Sequence, residues 1–434
     1  METPPAGALT ASAVVFAATY FVMLVGRAHR ATVALAGAVA MIAVGSWFSF
    51  YDMHTAGGAV DFNTIFLLLG MMIVVELFRE TGFFQYLAIA AAKLTRGRPW
   101  LLLIYLGLVT SLISMVLDNV TTILILVPVT VSIADIMGIS PLPFLIGELV
   151  LSNVGGVATL IGDPPNILIG SAAGYSFTDF LVHLAPIVVV AWIAAQGFLL
   201  LIFRKSLRGT PESVARLLSM NARLALTDRR TAYRMLTVLI GTIILFLIHD
   251  RVGLEPGVVA LAGASVGLLW IRPSLETILK AIHWDVLLFF IALFMIVGGL
   301  EAGGLLGSLG RGIESLVGIG MPVAVLAVLW GSALASGVLS NVPFTIAMLP
   351  VLKGLATHGV AVGPLWWALA LGVGLGANLT PIGAASNVLV SSLSETIGTP
   401  LGPRAWLRTG SVVAVLTCVV GSGGILLALA CGWL

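Results

Sequence analysis

One stretch limits this chain more than any other: a break placed where a membrane helix has no use for one. Residues Ser152–Asn166 hold Asn153, Gly155, Gly156, Gly162, Asp163, the adjacent Pro164 and Pro165, and Asn166. The flanks are apolar, from Leu142 to Leu151 and from Ile167 to Gly170. Prolines inside a helix remove hydrogen bonds and clash with the preceding turn. A bilayer tolerates the freed backbone groups only where they face protein or a watery cavity. The stretch therefore reads as one half of a transport site built on a broken helix.

Composition supports a membrane setting. Of 434 residues, 59% are hydrophobic and only 9% charged, whereas about a quarter are charged in a soluble domain. A net charge of +2, with no basic run, argues against nucleic acid as a partner. Gly7–Val25 is apolar but has no basic residue before it, so no cleavable signal is expected. Cys418 and Cys431 cannot form a disulfide framework and read as packing residues of one helix. No His is followed by Glu and no Gly-Lys pair occurs, which excludes His-Glu-x-x-His zinc chemistry and a phosphate-binding loop. The six histidines sit mostly at span ends or in loops, so neither enzymatic activity nor a cofactor or metal is expected.

Hydropathy places helix-length segments at Leu9–Val25, Thr32–Phe50, Phe62–Phe78, Leu142–Ser171, Leu181–Phe203, Tyr233–Ile248, Pro256–Ile271, His283–Leu300, Leu365–Ser392 and Thr409–Ala430. The tracts Leu101–Asp135 and Met321–Thr357 each offer two apolar arms around a polar turn, Asp118-Asn119 and Ser340-Asn341. Both are read as re-entrant hairpins. The expected fold is an all-α polytopic membrane protein of about ten spans, two hairpins and two broken helices. With that count, only Arg251, Arg311 and Lys353 of the 21 basic residues fall on one side. The positive-inside rule then puts both termini on the non-cytoplasmic side of the cell (inner) membrane.

The chain repeats itself. Gly82, Asn119 and Pro128 recur 222 positions later as Gly304, Asn341 and Pro350. Thr159, Ile161-Gly162 and Asn166 recur 221 positions later as Thr380, Ile382-Gly383 and Asn387. Ala34-Leu35-Ala36-Gly37-Ala38 also returns as Ala260-Leu261-Ala262-Gly263-Ala264. The halves begin on opposite sides, so two inverted repeats are expected, 1–203 and 233–434, joined by a cytoplasmic linker at 204–232. Such repeats place a transport site at their interface near mid-membrane.

Four polar interruptions should meet there. They supply Asn119, Thr121, Asn153, Thr159, Asn166, Asn341, Asn378, Thr380 and Asn387 as substrate-binding candidates. Half-helix ends add free amides and carbonyls, and Asn and Thr add neutral donors and acceptors. No Arg or Lys lies in these segments to clamp a strongly charged anion. Two acids, Asp118 and Asp163, belong to the first half alone, where the second has Ser340 and Ala384. An intramembrane acid without a basic partner is costly when charged, so both are candidates for the coupling proton. Helix capping competes with that role, most strongly at Asp163 directly before Pro164-Pro165. Glu148 is expected to pair or face water, Asp61, Glu76, His283, Asp285 and Glu301 to be interfacial, and the ten tryptophans to be interface anchors.

The paired Asn-bearing tips, with Gly162-Asp163-Pro164-Pro165-Asn166 and Pro381-Ile382-Gly383-Ala384-Ala385-Ser386-Asn387, resemble the ion transporter superfamily. Within it the chain looks like the branch holding ArsB arsenite permeases, NhaD-type sodium/proton antiporters and the melanosomal P protein. The resemblance implies a scaffold and a transport domain, elevator-type motion and often a homodimer. Sodium-dicarboxylate relatives carry Ser-Asn-Thr at both tips, whereas here Asp118 precedes Asn119 and Pro343 follows Val342. Those departures point away from dicarboxylates. The expected function is export of arsenite or antimonite in exchange for protons, with sodium/proton antiport as the alternative; an anion permease, a channel or a membrane-embedded enzyme would be further alternatives. A trithiolate arsenic site is excluded by having two cysteines. Resemblance to arsenical pumps also allows a soluble ATPase partner on the cytoplasmic side.

Overall fold

The computed structural model describes residues 7–25, 29–207 and 222–433. Arg27 and the centre of the linker, 208–221, lie outside the described residues, and with them Arg208 and Arg216. All regular structure among the described residues is helical.

The first half runs α1 (Ala8–Val25), α2 (Arg30–Trp47), α3 (Met53–Gly58), α4 (Phe62–Arg79), α5 (Phe83–Leu94), α6 (Pro99–Ser114), α7 (Asn119–Met137), α8 (Leu142–Gly156), α9 (Pro164–Ala173), α10 (Phe177–His183) and α11 (Ala185–Phe203). A 3₁₀ turn at Ala222–Ala225 precedes the second half. That half runs α12 (Arg229–Ile248), α13 (Pro256–Ile271), α14 (Leu275–Ala281), α15 (Trp284–Ala302), α16 (Leu306–Ile319), α17 (Met321–Leu339), α18 (Asn341–Thr357), α19 (Gly363–Gly376), a 3₁₀ turn at Ala377–Leu379, α20 (Ala385–Thr396), α21 (Pro403–Arg408) and α22 (Gly410–Ala430).

Starts of these helices are written in polar residues. Asp61 accepts hydrogen bonds from the Asn63 and Thr64 amides and so begins α4, rather than merely sitting at an interface. Asp228 does the same for α12, and the Thr231 hydroxyl and amide together hold its carboxyl below the usual carboxylate range.

Among the described residues eight helices are long and apolar enough to cross a membrane, α7 and α17 included. These are arms of the two tracts read as hairpins, and at 19 residues each their length does not mark them as half-depth. Hydropathy also passes over α3, α5, α10, α14, α16 and α21, which are too short or too mixed in polarity to register as spans. Among them, α5 and α16 follow Gly82 and Gly304, both at positive φ. The chain turns there before entering each tract.

Packing separates two groups of elements. On one side α4 lies along α13 and α2 along α15; on the other α6 lies along α8 and α17 along α19. Missing side chains allow the second contacts. A Cβ on Gly155 would stand 2.8 Å from the Ser111 Cα, and one on Gly376 would collide with the Ala333 backbone. The two positions are 221 apart and do the same job.

Candidate functional site

Two broken helices and two helix-pair tips converge. The first break, residues 157–163, separates α8 from α9; the second, residues 377–384, separates α19 from α20. Each break frees carbonyls that would be costly to bury unpaired. Asn166 Nδ2 donates to the carbonyls of Gly156, Val157 and Thr159 at 3.3, 3.1 and 2.8 Å. Its counterpart Asn387 donates to those of Ala377 and Thr380 at 2.7 and 2.9 Å.

Threonines tie each break to its tip. The Thr159 hydroxyl donates to the Met115 carbonyl, and that of Thr380 to the Gly337 carbonyl. Ser114 Oγ donates to the Ser152 carbonyl at 2.9 Å, as Ser336 Oγ does to that of Val373. The same contacts thus recur at positions 221 or 222 apart.

A further amide cluster joins the halves directly. Asn153 Nδ2 donates to Asn378 Oδ1 at 2.8 Å and Asn387 Oδ1 at 2.9 Å, while Ser386 Oγ donates to Asn153 Oδ1 at 3.0 Å. Asn378 Nδ2 reaches the Val150 carbonyl at 3.1 Å. The Asn378 carbonyl accepts from Trp406 Nε1 at 3.1 Å. Trp406 is therefore a buried structural donor and not an interface anchor; Trp366 and Trp367 are buried as well.

In front of this framework lies a cavity of about 680 Å³. Its polar wall is formed by Asp118, Asn119, Asp163, Ser340, Asn341 and Ser386. Opposite stand Leu67, Leu68, Met71 and Val75 of α4 with Phe289 and Phe290 of α15. The bases that touch it, His29, Arg30 and His283, lie at the starts of α2 and α15, where His29 Nε2 is 3.7 Å from Asp285 Oδ2 and both side chains are half exposed or more. Of the residues singled out in the sequence, Asp118, Asp163, Asn119 and Asn341 line the cavity. Thr121, Asn153, Thr159, Asn166, Asn378, Thr380 and Asn387 stand behind it.

The two acids exchange the parts expected of them. Asp118 is a helix cap: it accepts from the Thr121 amide at 2.9 Å and the Thr121 hydroxyl at 2.6 Å. Asp163 occupies the cap position of α9 but takes no cap bond. Pro165 has no amide to offer a cap, and the Asn166 amide donates to the Asp163 main-chain carbonyl at 2.9 Å instead. Its carboxylate instead meets Asn341 Nδ2 at 3.4 and 3.5 Å, across the two halves. The tips differ accordingly. Asn119 Oδ1 accepts from Ser114 Oγ and, at 3.3 Å, from Ser152 Oγ. Asn341 turns its Oδ1 onto the Val342 amide.

Two features escaped the sequence reading. Ser340 holds φ 71°, ψ 149°, a conformation close to glycine's own, and only the turn position hinted at it. Glu148 neither faces water nor pairs with a base: it is 1% exposed and accepts from Thr130 Oγ1 at 2.5 Å.

Known proteins are similar to this chain. An uncharacterized transporter of Mycobacterium tuberculosis is 40% identical over 414 residues, covering 94% of this chain and 96% of its own. The human P protein is 31% identical over 509 residues, covering 98% of this chain and 60% of its own. The crystal structure of the Alcanivorax borkumensis YdaH transporter shares the fold, with a TM-score of 0.57 at 15% identity over 85% of each chain. The family model described as "Citrate transporter" (CitMHS) matches residues 20–372. The chain is thus a multi-pass membrane transporter and belongs to the CitMHS citrate transporter family.

Proposed function

We propose that this transporter exports arsenite and antimonite in exchange for protons, with the coupling proton on Asp163. One observation carries the reading: the part of the cavity wall formed by the tips and breaks offers two acids, two amides and two hydroxyls but no base, the bases that line the cavity standing at the starts of α2 and α15. A tricarboxylate would meet no fixed cation at the tips. Arsenite at neutral pH is an uncharged trihydroxide, able to donate to carboxylate and amide oxygens and to accept from amide nitrogen. Asp163 suits proton carriage because its carboxylate is not committed to a cap and touches a neutral amide of the other half. Asp118 is engaged by Thr121 in starting α7.

In this reading the basic face is cytoplasmic, both termini lie outside, and the cavity reached past His29, Arg30 and His283 opens inward. The two halves act as inverted repeats whose tips and breaks move together against α4 and α15. Uptake into everted vesicles under an imposed pH gradient tests it, with arsenite, antimonite and sodium in parallel. Arsenite and antimonite accumulation that collapses with the gradient is expected. Sodium movement with no arsenite flux would replace this reading by sodium/proton antiport.

A further inference from the structure

A second buried acid lies behind the cavity, in α8. Glu148 accepts from Thr130 Oγ1 through Oε1, and its Oε2 has no hydrogen-bond partner among the described residues. The tilt of the neighbouring helices explains the pairing: α7 leaves the first tip, α8 returns toward it, and Thr130 and Glu148 meet partway along. One turn nearer the tip on α8 is Ser152, whose hydroxyl reaches Asn119 Oδ1 at 3.3 Å. Helical spacing therefore sets Glu148 one turn behind Ser152 on the same side of α8, and Ser152 in turn touches Asn119 at the cavity wall.

The surroundings supply no counter-charge. Elements packed on α8 are α6, α7, α11, α19, α20, α22 and the 3₁₀ turn at Ala377–Leu379. Their titratable side chains among the described residues are Tyr105, Asp135, Glu395 and Cys418. Asp135 and Glu395 are exposed, Cys418 is a buried thiol, and none of the four bonds to Glu148. A carboxylate placed here would have a single neutral hydroxyl against it, which a low-dielectric interior penalises heavily. The protonated acid needs much less. Positions 221 or 222 later hold Leu352 and Leu369, both fully buried, so the pair is peculiar to the first half.

We propose that Glu148 is a second proton-binding station of the transporter, holding one proton against Thr130 and reporting its state to the first tip through Ser152 and Asn119. The role in transport rests on the proton coupling proposed above; the occupancy of the site does not. Infrared difference spectroscopy on the full chain in lipid vesicles, without substrate, reads the occupancy. At neutral pH a buried carboxylic acid band is expected. On an Asp163→Asn background, which removes the band of the other proton-carrying acid, it should vanish in Glu148→Gln and move in Thr130→Val, where the hydroxyl donor is gone. In flux assays Glu148→Gln should lower the proton-to-substrate ratio by one and remove one ionisation from the pH profile, a tenfold change in rate per pH unit over its range. A band that survives Glu148→Gln on that background, or one that Thr130→Val leaves in place, overturns the site. An unaltered ratio and pH profile in a folded Glu148→Gln protein overturns its part in coupling. Should arsenite not be carried at all, the infrared outcome still decides, and if Glu148→Gln fails to insert, Thr130→Val decides alone.

Discussion

Asn341 of the second half holds its amide 3.4 and 3.5 Å from the two carboxylate oxygens of Asp163 in the first. These distances are at the outer limit of hydrogen bonding, so the pair is a contact and not a lock. Among the described residues it is the one place on the cavity wall where a titratable group of one half touches a side-chain amide of the other.

Asp163→Asn should therefore abolish pH-gradient-driven export, a loss of at least a hundredfold, while leaving the protein folded. Asp118→Asn, which retains a capping oxygen, should keep most of the flux. Asp118→Ala should cost about 1 kcal/mol of stability. Vesicle flux together with thermal unfolding separates the two acids, and equal loss of coupling in both Asn variants would contradict the division.

Asn387→Ala removes two donated bonds and one accepted bond from a fully buried position. Each stranded group costs about 1–3 kcal/mol, so destabilisation on the order of 3 kcal/mol is expected. Because Asn387 stands behind the cavity, the KM of surviving protein should change little. A raised KM at wild-type stability would place the side chain on the substrate instead.

Ser340 is a non-glycine residue held at φ 71°. Ser340→Gly relieves that conformation and should stabilise the protein by about 1 kcal/mol. Ser340→Val, branched at Cβ, should destabilise it by at least as much. Melting temperatures of the purified variants give both signs.

Gly155→Ala and Gly376→Ala each drive a methyl group into a facing helix, against Ser111 and Ala333 respectively. Overpacking of this kind costs about 1–3 kcal/mol. Similar losses at both positions are expected, since the two contacts are equivalent. A loss at one alone would show that the halves pack differently.

How much of this was legible in the sequence depends on what each signal measures. The breaks at Ser152–Asn166 and around Asn387 were plain, because prolines and glycines inside apolar tracts have few other uses in a bilayer. The 221 and 222 spacings gave away which residues would do equivalent work, and Thr159 and Thr380 do it. What the sequence could not show is where a side chain spends its hydrogen bonds. Asn153, Asn166 and Asn387 look like ligands in a polar motif, yet their amides serve backbone carbonyls and one another. Asp163 looked the stronger cap of the two acids, yet Asp118 is the one that caps, since capping depends on which amides stand within reach. Nor does hydropathy see α5, which is apolar but only 12 residues long, or α16, whose composition is too mixed for a span.

The framework behind the cavity bears on how such a carrier can change its cargo. Amides that hold the breaks shut stand behind the cavity, and the polar side chains of the tips and breaks that line it are few: those of the two tips, Asp163 and Ser386. If the cavity is the solute site proposed above, selection can alter recognition at Asp118, Ser340 or Ser386 without unpicking the joints beneath, which lets one architecture be handed from solute to solute while its framework stays the same.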